Sequence, residues 1–151
     1  MKRMIVLGAL AAVGTLAVSS LASGTSTHTV TTMKFKAALN VGQVVPHPKG
    51  TMAGASGSFR ATLTGTTLRW TLTYSHLTGA ATAAHIHMGA RKKNGIALVS
   101  LCGPCRSPIR GTANAVTDDV AALMAHSGTY VNVHTAKNPE GEIRGEISVS
   151  H

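Results

Sequence analysis

Acidic side chains are scarce in this chain: five Asp plus Glu stand against 14 Lys plus Arg, for a formal net charge of +9. The acids occur only as Asp118-Asp119 and as Glu140, Glu142 and Glu146. Paired-carboxylate hydrolase chemistry therefore has no obvious home. Aromatic residues are 3% and charged residues 13% of the sequence, which excludes a charge-rich disordered protein and a coiled coil. The Gly-rich phosphate loop, the Gly-x-Ser-x-Gly elbow and the His-Glu-x-x-His zinc helix are all missing. With 151 residues, one globular domain fits and a multidomain enzyme does not.

Only one long apolar run is present. Lys2 and Arg3 precede an apolar and small-residue stretch from Met4 to Val18, followed by Ser19-Ser20-Leu21-Ala22-Ser23. Ser20 and Ala22 are the small residues that signal peptidase takes before its cut, so residues 1–22 are expected to be a signal peptide. No Cys follows the cut, so a lipoprotein anchor is not expected. The run is shorter than the roughly 20 apolar residues of an uncleaved anchor. Residues 23–30 would be a short flexible segment and 31–151 the folded domain. The mature chain carries no later segment of spanning length, and its expected location is secreted, in the periplasm or outside the cell.

From Thr29 onward the hydrophobic period is two, the spacing of a half-buried strand. Phe35, Ala37 and Leu39 alternate with Lys34, Lys36 and Ala38. Phe59, Ala61 and Leu63 alternate with Ser58, Arg60 and Thr62, and Leu68, Trp70, Leu72 and Tyr74 with Arg69, Thr71 and Thr73. Gly65-Thr66-Thr67 is short enough to join the last two as a hairpin. Thr82–Met88 and Ile96–Leu101 read as strands around a loop ending in Asn94-Gly95.

Thr117 can cap a short helix that begins Asp118-Asp119, with both carboxylates at the end the dipole favours, and that finishes near Gly128. Strand resumes over Tyr130–Thr135, turns through Lys137-Asn138-Pro139-Glu140-Gly141, and continues over Glu142–Val149. Seven or eight short strands with one short helix predict an all-β fold. Its expected form is an antiparallel Greek-key β-sandwich, immunoglobulin-like or superoxide-dismutase-like. Ile, Val, Leu and Ala should fill most of its core.

The positive charge attracts anionic surfaces, polymers or metabolites at low salt. Lys34, Lys36, Lys49, Arg60, Arg69 and Arg144 are scattered along the chain, and Arg91-Lys92-Lys93, the one run, reads as a solvated turn. Without clustered cations or interleaved aromatics, nucleic acid is not the expected partner.

Ala84-His85-Ile86-His87-Met88 is the most informative segment. On a strand His85 and His87 project from one face, roughly 7 Å apart at Cα, and can converge on one Zn or Cu ion. In Tyr130-Val131-Asn132-Val133-His134 the valines take the core face, leaving Tyr130, Asn132 and His134 on the other, with His134 as a third imidazole. Tyr130, Asn132, Glu142 and Arg144 are the neighbours expected beside such a site. The competing reading makes these histidines hydrogen-bonded sheet residues that donate to carbonyls or to a carboxylate such as Glu142.

Cys102-Gly103-Pro104-Cys105 has the spacing of a thioredoxin-type redox centre, yet Pro108 and Gly111 follow where that centre needs a helix. In an exported protein with two cysteines a disulfide is the default, within this turn or between molecules.

Taken in order, Phe35-Lys36-Ala37-Ala38-Leu39, Val45-Pro46, Gly57-Ser58-Phe59, Leu77 with Gly79, Ala84-His85-Ile86-His87-Met88-Gly89 and Gly95 resemble the CHRD (chordin-type) domain. So, most specifically, do Tyr130-Val131-Asn132-Val133-His134-Thr135 and Pro139-Glu140-Gly141-Glu142-Ile143-Arg144-Gly145-Glu146-Ile147. The resemblance implies an exported β-sandwich of the kind found as single-domain bacterial proteins, more than it implies an activity. The family often has an acid before its Pro-Pro turn, where this chain has Gln43-Val44-Val45-Pro46-His47-Pro48. The His-x-His strand and the later strand His also look like the copper-ligand layout of Cu/Zn superoxide dismutase.

The leading expectation is a non-enzymatic binding or interaction module whose protein or envelope ligand the sequence does not spell out. The alternative is a Cu- or Zn-binding protein using His85, His87 and His134, with superoxide-dismutase-like redox chemistry as its extension.

Overall fold

The computed structural model describes residues 30–151. The expected signal peptide, 1–22, and all but the last residue of the segment 23–30 lie outside the described residues. Nine strands follow: β1 (Thr32–Asn40), β2 (Ser56–Thr64), β3 (Thr67–Ser75), β4 (Ala81–Met88), β5 (Ala97–Cys102), β6 (Ile109–Ala113), β7 (Thr129–Thr135), β8 (Ile143–Glu146) and β9 (Ser148–Val149). One helix, α1 (Asp118–Ala125), lies between β6 and β7.

The fold is the expected all-β, antiparallel one. Strands run in the order β5-β4-β7-β8-β1-β2-β3-β6, with β9 pairing a second stretch of β1. The two outer strands, β5 and β6, approach each other. The sheet thus curls until it nearly closes, giving a form between a sandwich and a barrel. Consecutive strands β3 and β4, β5 and β6, and β6 and β7 are not neighbours in that order, and the connection from β6 to β7, which carries α1, is the long return of a Greek key.

Alternation builds the interior, and size complementarity across strands fills it. Phe35 faces Ala61, Ala61 faces Trp70, and Trp70 faces Gly111; in the next row Ala37, Phe59, Leu72 and Ile109 follow one another. Large and small residues alternate along the first row, so the Phe35 and Trp70 rings lie over Ala61 and Gly111, and in the second row Ala37 alone is small. Gly111, expected not to start a helix, is a strand residue. Any Cβ there would run into the Trp70 indole. β6 escaped the sequence reading because its five residues alternate exposed and half-buried and carry no fully buried position.

The aliphatic expectation for the core holds with a qualification: Phe35, Phe59 and Trp70 join the Leu, Ile, Val and Ala residues inside. Helix α1 starts as expected, with Thr117 Oγ1 accepting from the Val120 N–H at 3.4 Å, and it buries Ala121 and Met124 against the sheet. The final strand is interrupted before Ile147 because the Gln43 side chain enters between β1 and β8, donating from Nε2 to Ala38 O at 2.9 Å and accepting from Glu146 N–H at 3.3 Å; Ile147 N–H faces β7 and bonds Thr129 O at 3.0 Å. β8 consequently pairs mainly with β7, whereas β9 pairs with β1.

Candidate metal-binding site

Strands β4 and β7 pair so that His85 faces Asn132, His87 faces Tyr130 and Ala83 faces His134. Pleat parity places all three histidines on the side away from Ala84, Ile86, Val131 and Val133, which are fully buried in the core. His134 then lies diagonal to His85. The ring centroids are 5.5 Å apart for His85 and His87, 5.2 Å for His85 and His134, and 5.7 Å for His87 and His134. One ring nitrogen from each lies within 4.8 Å of the other two.

Hydrogen bonds orient two of these rings. His87 Nδ1 donates to Gly95 O at 3.0 Å, and His134 Nδ1 donates to Pro139 O at 2.8 Å. With the δ nitrogens protonated, both Nε2 atoms keep their lone pairs. The Nε2 of His134 lies 3.3 Å from His85 Nδ1. That of His87 is buried and has no hydrogen-bond partner among the described residues. Anchoring one ring nitrogen on a backbone carbonyl while the other points at a common centre is the arrangement that metal-ligating histidines adopt.

Burial disfavours the charged form of two of the three rings. Burial, with His87 close by, lowers the His85 pKa. Burial also lowers that of His134, opposed by its bond to Pro139 O and by the Glu140 charge and reinforced by His85 and His87. Neutral imidazoles are the form that binds a metal.

The face expected to be open to water is covered. Tyr130 and Asn132 are 2% and 4% exposed. Tyr130 stacks on His87 with centroids 5.1 Å apart and planes 10° off parallel. The lid is the loop between β4 and β5, where Gly95 N–H donates to Tyr130 Oη at 3.3 Å and Asn94 Nδ2 to Val45 O at 2.6 Å. Arg144 holds that loop through Asn94 Oδ1 at 3.2 Å and Ala90 O at 3.0 Å.

Arg144, expected beside the histidines, is fully buried: its guanidinium bonds Glu146 at 2.9 Å and sits over the Tyr130 ring. Glu142, expected beside the histidines, is engaged elsewhere. Its carboxylate accepts from Thr78 N–H and the Thr78 and Thr135 hydroxyls, all at 2.6 Å, and from Asn138 Nδ2 at 3.3 Å. Asn132 Nδ2 donates to Glu140 O at 2.8 Å, steadying the turn that carries Pro139. Sequence reasoning missed Gly95 and Pro139, because a backbone carbonyl leaves no side-chain signature.

Cys102 and Cys105 form a disulfide within their turn. Among the described residues no helix is long and apolar enough to cross a membrane.

Fold and site together describe a small, disulfide-containing antiparallel β domain with one clustered imidazole site. Residues 35–147 match the CHRD domain family, and the chain belongs to it. These are domains of extracellular type. Neither a curated protein nor a solved structure matches the chain significantly.

Proposed function

We propose that this chain is an exported binding module that works without turnover, and that its histidine triad takes a single Cu or Zn ion. One observation carries the metal: three imidazole nitrogens lie within 4.8 Å of one another, two of the rings being fixed from behind by Gly95 O and Pro139 O. Imidazole suits both ions, and three such ligands leave a fourth position for water or a partner's donor group. The signal-peptide pattern at residues 1–22, the Cys102–Cys105 disulfide and the family membership support export.

Elemental mass spectrometry on untagged mature protein reconstituted with Cu or Zn tests this. Near one ion per chain is expected, lost in the His85→Ala/His87→Ala/His134→Ala variant with the circular dichroism spectrum unchanged. Metal-free wild-type protein overturns the site. Superoxide dismutation by the loaded protein would overturn the non-catalytic half, since turnover requires substrate at that fourth position.

A further inference from the structure

Cations that are scattered along the sequence converge in space. On the outer face of β1, β2, β3 and β6, one cross-strand row runs Lys36, Arg60, Thr71, Arg110, and its neighbour runs Lys34, Thr62, Arg69, Thr112. Lys34, Lys36, Arg60, Arg69 and Arg110 are all exposed. Each row crosses three interstrand gaps, about 14 Å, and the rows lie about 7 Å apart. Between them runs a shallow groove of about 610 Å³, lined by Lys34, Arg60, Thr62, Arg69, Thr71 and Arg110.

None of the four strands carries an acid. Among the described residues the one salt bridge joins Arg144 to Glu146, so the five cations have no ionic partner there. Glu146 borders the face beside Lys36 and Arg60, but Arg144 already engages its carboxylate. Lys36 stands directly opposite Arg60, an arrangement of like charges that costs stability. Folding gains nothing from it, whereas an anionic ligand would.

The geometry points to a polyanion-binding face whose occupant is an acidic polysaccharide. Its outward residues are Lys, Arg, Ser and Thr, with Ala38 and Asn40 at one margin; Phe35 and Trp70 also border the groove, but their side chains belong to the core and are 1% and 5% exposed. Stacking of nucleic-acid bases therefore has no platform. No large apolar side chain stands there to enter a bilayer, nor to form the apolar centre of a protein interface. The groove is too open to enclose a small metabolite. What remains is a long polymer with anionic groups every few ångströms, contacted by cations and hydrogen-bonded by the threonine hydroxyls. This inference is independent of the histidine triad, which lies on β4 and β7.

The test is titration of the mature chain, with EDTA present, with heparin for sulfate and polygalacturonate for carboxylate. Arg60→Gln/Arg69→Gln/Arg110→Gln is compared with Arg91→Gln/Lys92→Gln/Lys93→Gln, which removes the same charge from the β4–β5 loop. The face variant should lose about tenfold or more in affinity and show a shallower salt dependence, and the loop variant much less. Lys34→Gln/Lys36→Gln supplies a second face variant should the first fail to fold. Equal losses in face and loop variants, or no binding of either polymer, overturn the proposal. Tighter binding through this face to phosphatidylglycerol vesicles or to single-stranded DNA overturns the choice of polysaccharide.

Discussion

The Arg144 guanidinium carbon lies 3.4 Å from the centre of the Tyr130 ring, and that ring stacks in turn on His87. Arg144 is on β8 and His87 on β4, the two strands that flank β7, so Tyr130 is held between them. A buried cation, an aromatic ring and a candidate ligand thus form one packed column, tied to Glu146 at its outer end and to the β4–β5 loop through Asn94 and Ala90.

Removing Arg144 should therefore unsettle more than an ion pair. Arg144→Leu leaves Glu146, whose Oε2 is already buried without a partner, facing no cation, and it releases the loop. Breaking a buried pair from one side costs about 3–5 kcal/mol; the partial exposure of Glu146 puts this case near the lower end, about 3 kcal/mol. Urea unfolding measures it. Arg144→Lys should recover little, because an ammonium cannot reach Glu146, Asn94 and Ala90 together while lying flat on Tyr130.

Acid should weaken the metal-free domain in two separate windows. The His85 and His134 pKa values are lowered on folding, so below the unfolded histidine value of about 6.5 the unfolded chain binds more protons than the native one. Stability must fall as pH drops below that value. The melting temperature should decline between pH 7.5 and pH 5, and His85→Gln/His134→Gln should flatten the decline. An unchanged slope in that variant would show that these rings titrate freely in the native state.

The second window belongs to Glu142. Burial raises its pKa, but hydrogen bonds from the Thr135 and Thr78 hydroxyls, the Thr78 N–H and Asn138 outweigh burial and bring the value below normal. A depressed carboxyl contributes stability that is present above its unfolded pKa and lost as pH falls through the folded one. The loss therefore begins below about pH 4.5, after the histidine window. Glu142→Gln should remove this acid-dependent part and cost about 2–3 kcal/mol at pH 7, because an amide cannot accept all four bonds. Thermal melts from pH 3 to pH 7 check both statements.

The period-two pattern made the strands legible wherever one face is apolar and the other polar, as in Phe35–Leu39 and Leu68–Tyr74. It failed at β6, where Gly111 owes its place to the indole above it, and before Ile147, where the Gln43 side chain takes the backbone bonds of Ala38 and Glu146 and splits one apolar alternation into two strands. The three histidines were legible because their parity is local. The coverings were not: Arg144 and Tyr130 belong to different strands, and a residue polar by type gives no sign that a neighbouring loop will bury it. Nor could linear spacing show that Lys36, Arg60 and Arg110 share a row, since register decides that.

The disulfide should matter little to the site. Cys102 and Cys105 are three positions apart, so the cross-link closes a very short loop and restricts the unfolded chain modestly. Cys102→Ala/Cys105→Ala should lower unfolding free energy by no more than about 2 kcal/mol and leave metal stoichiometry unchanged. Lost metal in that variant would instead tie the turn after β5 to the triad.

Gly95 offers the sharpest separation of site geometry from fold. Its carbonyl accepts from His87 Nδ1 and its N–H donates to Tyr130 Oη, so its position sets the aim of His87 Nε2. A Cβ at this position would overlap the Met88 carbonyl oxygen, which is backbone and cannot swing aside. Gly95→Ala must push the loop away from β4, lengthening the His87 bond while the core, including Ile86 and Val131, stays packed. Metal affinity should fall about 10- to 100-fold, the cost of losing a group that orients a ligand from behind. The urea midpoint should move far less than in Arg144→Leu. Competition titration against a chelator reads the affinity, and an unchanged value would mean that His87 is held by its stacking on Tyr130 rather than by Gly95 O.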